Sequence, residues 1–428
     1  MFKVLVIAYY YPPLGLSGVQ RTLKFTKYMS KFGWEPTVIT TGNVAYFAHD
    51  FSLLKEAKEA GVRIIRTEAF DVNAILGRQF DTVSMPKEFI RKTLSRLSKA
   101  VFIPDNKNSW AKKAYTVAKE LLQKEKFDII FVSVPPYSGF ITAARLKKEF
   151  NIPLFVDYRD LWLGNHFAFY PTPYHRYKHK KLEYKALRSV EKVVAINRRI
   201  KEKILLSYPF LSFNDVMIIP HGFDPADFES TEEKIESSNK MKLTYAGIFY
   251  ENITPEYLLK AFKQLSIERP DIAANIELEF IGHLRKENKK LITELGINEF
   301  IRDHGYLDHK ETVKHLKGSD ILWMMIGNIR NADTISTSKL YEYIGTRKPI
   351  LGCVVEGTAK ITLQEYGASF ITQPDDIHEI KDAIIRIHEL YQQKNLPIPN
   401  EEFVKKHDRI DLTEQLTKAF QFYLKDEK

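Results

Sequence analysis

The chain of 428 residues has one cysteine. Cys353 therefore cannot form a disulfide within the chain, and a zinc cluster built on thiolates is excluded. Its apolar surroundings fit a reducing cytoplasm. Long hydrophobic stretches are missing too, since no run approaches the roughly 18 apolar residues of a membrane span. The opening Met1-Phe-Lys-Val-Leu-Val-Ile-Ala-Tyr is too short, and too soon followed by proline, for a secretory signal. The sequence has no low-complexity tract, no short repeat and no G-x-G-x-x-G dinucleotide fingerprint. No Asp-x-Asp stands at a predicted strand end, so no metal is expected. Zinc-finger, helix-turn-helix and aromatic RNA-binding signatures are missing as well, which argues against a nucleic-acid partner.

Acidic residues are in the minority. Lys and Arg number 64 against 54 Asp and Glu, a formal charge of +10. Such a balance favours anionic partners: nucleotide phosphates, nucleic acid or an acidic membrane surface. The excess is uneven. Positions 176–203 hold eleven Lys or Arg against three Glu. A second basic segment spans 87–99, where Ile90, Leu94, Leu97 and Val101 recur at helical spacing among Lys87, Arg91, Lys92, Arg96 and Lys99. That pattern suits a helix lying on an anionic bilayer. It also suits a helix packed on its own domain with a solvated basic face.

Apolar runs alternate with helical patterns along the whole chain, which predicts parallel sheets with crossover helices. Strands are predicted at 4–8, 35–40, 63–66, 128–132, 153–157, 192–196 and 217–220. A polar stretch at 229–240 reads as a linker. A second set of strands follows at 241–245, 276–281, 321–325, 349–352 and 368–371. Two α/β halves are therefore expected, with ligands at the carboxyl ends of their strands.

The segment Ser336-Thr-Ser-Lys339-Leu-Tyr-Glu342-Tyr-Ile-Gly-Thr-Arg-Lys-Pro349 carries the sharpest signal. Thr337 or Ser338 can cap a helix start, whose unpaired N–H groups and dipole favour anions. Lys339 adds a full positive charge. Glu342 lies three residues on and shares a face with Lys339. One face thus offers a phosphate site and, a turn deeper, a carboxylate for ribose hydroxyls. An ordinary amphipathic helix with a surface Lys–Glu pair has the same pattern. Near the amino end, Tyr9-Tyr-Tyr-Pro-Pro-Leu-Gly15-Leu-Ser-Gly18-Val-Gln-Arg21 joins the first strand to a helix, and Gly18 marks a second helix start open to an anion or sugar. Phe155-Val-Asp157-Tyr-Arg159-Asp160-Leu-Trp162 ends another strand in a charged cluster. Such charges are either paired structurally or used. Asp160 or Asp157 is expected near an acceptor hydroxyl with Arg159 orienting it, and His166 is an alternative.

Taken together, these segments resemble the family 4 glycosyltransferases, in the branch that acts on bacterial surface polysaccharides. Glu342-Tyr-Ile-Gly-Thr-Arg-Lys-Pro349-Ile keeps the family's Glu-to-Pro spacing at the donor helix. The Tyr-Pro-Pro opening matches, with Gly18 as a donor-phosphate neighbour, Gly15 a looser match and Arg21 on the first helix, assigned to the acceptor side. Pro104-Asp105 with Trp110, and Val134-Pro135-Pro136-Tyr-Ser138, resemble the same branch. Pro220-His221-Gly222-Phe223-Asp224 is similar to the family's interdomain motif, with His in place of Asn. Tyr245-Ala-Gly247 resembles the donor loop. Departures are Thr334, beside Asp333, where many members have a sugar-binding Glu, and Ile248 and Asn252 where Arg and Lys are common. Lys339 is expected to compensate.

The resemblance implies the GT-B architecture: two doubly wound, Rossmann-like parallel-sheet domains facing across a cleft. Domains are expected at 1–220 and 221–403, with a helix at about 404–428 returning to the first. It implies retaining transfer from a UDP- or GDP-linked sugar to a glycan or lipid-linked acceptor, without metal or cofactor. Asp160, Lys339 and Arg159 are expected to carry catalysis. Gly18, Gly247, Ser338, Lys339, Glu342 and Thr334 are expected to bind the donor, with Asp157, His166 and Arg21 on the acceptor side. A cytoplasmic protein, peripheral on the inner membrane face, is expected. Two rivals remain: a UDP-sugar 2-epimerase, kept open by His283 and His304, and a non-catalytic binding protein, suggested by Thr334.

Overall fold

The computed structural model describes residues 1–428 apart from 43, 45, 47, 68–87, 167, 230–238, 250–252 and 427–428. It divides into two units, Met1–Pro220 with Arg409–Lys428, and His221–Asp408.

The first unit is built on a seven-stranded parallel sheet: β1 (Phe2–Ile7), β2 (Trp34–Thr41), β3 (Arg63–Thr67), β4 (Ile129–Val134), β5 (Leu154–Tyr158), β6 (Lys192–Ala195) and β7 (Val216–Ile218), in spatial order β3-β2-β1-β4-β5-β6-β7. The second holds a six-stranded parallel sheet: β8 (Met241–Ala246), β9 (Ile276–Ile281), β10 (Ile301–Gly305), β11 (Ile321–Ile326), β12 (Ile350–Val354) and β13 (Ser369–Thr372), in order β10-β9-β8-β11-β12-β13. Each order reverses once, at β1/β4 and at β8/β11, which is the doubly wound topology. Central strands such as β4 and β11 are buried along their full length. Helices cover both faces of a parallel sheet, so these strands read as continuous apolar runs.

Of the helices, α1 (Ser17–Met29), α2 (Glu88–Val101), α3 (Asn108–Lys124), α4 (Tyr137–Phe150) and α5 (Pro173–Leu187) belong to the first unit. In the second, α6 (His309–Lys317) and α7 (Ser338–Thr346) frame the site described below. The last helix, α8 (Arg409–Asp426), returns to the first unit. Its Leu412, Leu416 and Phe420 are buried, and the Phe420 ring meets Trp34 at 5.1 Å and Phe155 at 4.8 Å. The stretch expected as one helix at about 404–428 is divided between two helices. A short helix, Glu401–Lys405, ends within the second unit, and Lys406–Asp408 separate it from α8. Phe403 and Val404 pack in the second unit's core, which moves its end from 403 to Asp408.

β10 was not among the predicted strands. Ile301-Arg-Asp-His-Gly305 has one large apolar residue and lies at the sheet edge. An edge strand has a neighbour on one side only, so it shows no buried apolar run.

Candidate functional site

In the second unit, α7 begins without a side-chain cap. Thr337 occupies the N-cap position, yet its side chain accepts no bond from the helix. Ser338 does not cap either: its hydroxyl is buried and has no hydrogen-bond partner. The expectation that one of them caps the helix is therefore corrected. Four backbone N–H groups at a helix start need partners, and here neither hydroxyl supplies one. Lys339 lies beneath the loop after β8, with Nζ 3.7 Å from the centre of the Tyr245 ring. Burial lowers its pKa to about 7, against an opposing pull from Glu342. Gly247 makes room for this lysine. Its φ is 139°, and a Cβ there would lie 2.5 Å from Nζ. The Gly247 N–H donates to the Ile281 carbonyl at 2.7 Å, so its contribution is space rather than a free donor. Gly282 closes the adjoining strand end, where a Cβ would lie 2.2 Å from the Gly247 carbonyl.

Glu342 lies one turn inside α7, its side chain 20% exposed. His309, the first residue of α6, points Nε2 at it from 3.6 Å and at Asp227 from 3.9 Å. No sequence motif marks His309. It is found only because α6 packs beside α7. Tyr343 accepts the Ala246 N–H at 2.8 Å, and Gly345 lets the rings of Phe223 and Phe228 approach closely. These contacts fix α7 against the end of β8. Thr334 is buried, and its hydroxyl donates to the Asn331 carbonyl at 2.8 Å. Its neighbour Asp333 is packed through its backbone against Gly357. The two histidines that kept the epimerase reading open diverge. His283 stacks on Tyr306, whereas His304 faces Glu279. Tyr250 and Asn252 lie outside the described residues.

The first unit is different. Arg21 and Asp157 were expected on the acceptor side, but both are buried and paired with each other. Arg21 Nε and Nη2 reach Asp157 Oδ1 at 3.0 and 2.9 Å, and Ser133 donates to Oδ2 at 2.9 Å. The remaining Arg21 donors take the Pro220 and Ile219 carbonyls. The pair is saturated and closed to an acceptor, which corrects that expectation. Nor does Asp157 pair with Arg159. The Arg159 guanidinium donates to the carbonyls of Gly18, Pro135 and Val134, and so ties the start of α1 and the end of β4 to the segment after β5. It is placed as a strut, not as a group aimed at a substrate, and Gly18 gives it room. Asp160 remains as a candidate. Burial raises its carboxyl to about 6, opposed by the Arg159 charge. His166 is held near 4 by burial and the charge of Lys99, so it is neutral at pH 7.

The two motifs at 104–110 and 134–138 meet. Asp105 accepts the Ser138 N–H at 2.9 Å and its hydroxyl at 2.7 Å, capping α4 from another segment. Spacing alone could not show this pairing.

The Glycosyltransferase Family 4 model matches residues 17–227, and the Glycosyl transferases group 1 model matches residues 227–401. The chain belongs to glycosyltransferase family 4. A solved glycosyltransferase from Rickettsia africae is 15% identical to this enzyme, covering 100% of this chain and 99% of its own at a TM-score of 0.65. Anabaena HepE, solved in complex with UDP, is 14% identical over 98% of this chain and 100% of its own, with a TM-score of 0.64. WaaG, described as a glycosyltransferase involved in lipopolysaccharide biosynthesis, is 12% identical over 97% and 99%, with a TM-score of 0.61. At such identities the likeness is one of fold. A search of curated proteins gives no match.

The glycosyltransferase also joins its two basic segments. His175 on α5 bonds the Ala100 carbonyl of α2 at 3.1 Å, and Arg96 of α2 lies over the Phe169 ring. On α2, Phe89 is 81% and Val101 72% exposed, with Leu94 and Leu97 between them also exposed. Tyr174, Tyr177 and Tyr184 are exposed on α5. Lys87 lies outside the described residues. Among the described residues, no helix is long and apolar enough to cross a membrane.

Proposed function

We propose that this enzyme is a retaining, metal-independent glycosyltransferase. It moves a sugar from a UDP- or GDP-linked donor to a glycan or lipid-linked acceptor in cell-surface polysaccharide synthesis. The observation that carries the reading is the start of α7, where the buried Ser338 hydroxyl has no partner. A diphosphate is the ligand whose chemistry fits it. Its oxygens accept from helix N–H groups and from Ser338, while Lys339 supplies charge. Ribose hydroxyls would then donate to Glu342, with His309 holding that carboxylate from the other side.

Negative charge grows on the diphosphate as the glycosidic bond breaks. Donors already aimed at that position stabilise the transition state without reorganising. Lys339 is poised for this role. Burial holds its pKa near 7, and an arriving diphosphate favours the ammonium. A full charge is then present where a metal serves in other transferases. Asp160, ionised above about pH 6, is the group proposed to steer the acceptor hydroxyl. Retention of configuration comes from the family resemblance.

The exposed apolar and basic face of α2 and α5 supports a peripheral place on the inner, anionic face of the cell membrane. Apolar side chains enter the interface there and cations add about 1 kcal/mol each. UDP- and GDP-sugars, screened by thermal shift and then offered with polyprenyl-linked acceptors, test the whole reading. The expected product keeps the donor's anomeric configuration by NMR, and its initial rate does not change when Mg²⁺ or Mn²⁺ is added. Inverted product, or a rate that requires either ion, rejects the mechanism.

A further inference from the structure

One buried cluster of the second unit has no part in the donor site. Glu279 on β9, His304 on β10 and His315 on α6 bring their ligand atoms within 4.8 Å of one another. His304 Nε2 is 3.7 Å from Glu279 Oε1, too far for a hydrogen bond, and this buried nitrogen has no hydrogen-bond partner. The two imidazoles lie close together, their centres 4.4 Å apart and their planes tilted by 52°. The other oxygen of Glu279 is already held by the Thr244 hydroxyl at 3.1 Å, and Thr244 in turn accepts from Ser319 at 2.7 Å. Thus one carboxylate oxygen is fixed from behind while the other faces the two rings.

We propose that Glu279, His304 and His315 form a binding site for a divalent transition metal, zinc being the best fit. Two imidazoles and a carboxylate are a borderline ligand set that suits Zn²⁺ and leaves a fourth position for water. The three ligands come from two strands and a helix, so the ion pins α6 to the edge of the sheet. His315 lies about 9 Å along α6 from His309, at 1.5 Å per residue. The site is therefore distinct from the donor helix, and its existence does not depend on the proposed transfer reaction.

Lys242 is the competitor. Its Nζ lies 3.6 Å from Glu279 Oε1 and balances that charge in the metal-free protein. A metal takes over this balance, so the lysine opposes binding. Its removal gives a test that a plain hydrogen-bonded cluster would not pass.

The experiment uses the full chain, dialysed against a chelator and titrated with Zn²⁺ by calorimetry, with metal content measured after gel filtration. One equivalent is expected to bind and to raise the melting temperature. His304→Gln and His315→Gln are expected to weaken zinc at least about 100-fold, the upper end of what loss of an outer-shell partner costs. Lys242→Gln is expected to tighten it. No stoichiometric zinc in the wild type overturns the proposal, and so does equal affinity in the folded histidine variants. If those variants fail to fold, Co²⁺ in the wild type decides. Strong visible absorption from a four-coordinate ion supports the site, and the weak bands of a six-coordinate ion overturn it.

Discussion

Each domain sets a cation and a carboxylate near the carboxyl end of its sheet, and the two pairs are in opposite states. Arg21 and Asp157 are sealed in the first domain, each guanidinium nitrogen and each carboxylate oxygen bonded, through one another, Ser133 and two backbone carbonyls. Lys339 and Glu342 in the second stay incompletely used. The lysine rests on an aromatic ring, the carboxylate faces a histidine at 3.6 Å, and the hydroxyl beside them has no partner. A saturated pair holds a fold together. A pair with unspent hydrogen-bonding capacity can take a ligand, because the groups have already lost water without gaining full replacement. Charge near a strand end is thus no guide to function until its partners are counted.

The largest effect should come from breaking the sealed pair. Arg21→Met leaves Asp157 buried and uncompensated, and is expected to cost about 3–5 kcal/mol of stability. Urea denaturation measures it. Native stability with lost transfer would reverse the comparison and return Arg21 to the active site.

Opening the other pair should spare the fold. Glu342→Ala is expected to weaken nucleotide binding by about 2–4 kcal/mol, through two lost charge-assisted bonds to ribose. Stability should change much less than this, because the carboxylate's ion-pair partners among the described residues are limited to His309 at 3.6 Å. Calorimetry with UDP or GDP checks the first value and denaturation the second. Undiminished affinity would remove Glu342 from the site.

Lys339 sharpens the contrast through pH. Its pKa near 7 in the empty site means that the charged form dominates below pH 7 and fades above it. A bound diphosphate favours the charged form. Affinity for a nucleotide sugar should therefore fall as pH rises through 7, by at most about tenfold per unit, with proton uptake on binding that grows toward one as pH rises above 7. Titrations in two buffers of different ionisation enthalpy reveal that proton. Lys339→Ala should abolish the uptake and lower kcat more than it raises KM, since its charge matters most as the diphosphate leaves.

The smallest effect concerns the basic face of α2 and α5. Leu94→Ser with Leu97→Ser should leave nucleotide affinity unchanged and reduce sedimentation with anionic liposomes. Wild-type binding itself should weaken with salt, as expected for cations acting within a Debye length. Equal binding to neutral and anionic vesicles would turn this face into plain solvated surface.

The parallel sheets were legible because their signals are local. β9 was predicted with the bounds it has, and β8 and β11 fell one residue short, since burial on both faces writes a nearly unbroken apolar run. The helix at Ser338 was legible from its short polar start and from Pro349 beyond its end. β10 was not, because Ile301-Arg-Asp-His-Gly305 has one large apolar residue to announce it. Asp105 capping α4 across 33 residues, and His309 facing Glu342 across the same number, left no mark in any local window.

By itself the sequence determined the two α/β halves, the helix carrying Lys339 and Glu342, and the basic segments. Periodicity, helix starts and charge act over a few residues, so one strand of text carries them. Only the tertiary structure decided which charges are spent. Arg21 meets Asp157 across 136 residues, and Arg159 reaches Gly18 across 141. Whether a buried polar group is satisfied depends on such distant partners, because burial removes water from every element packed around it.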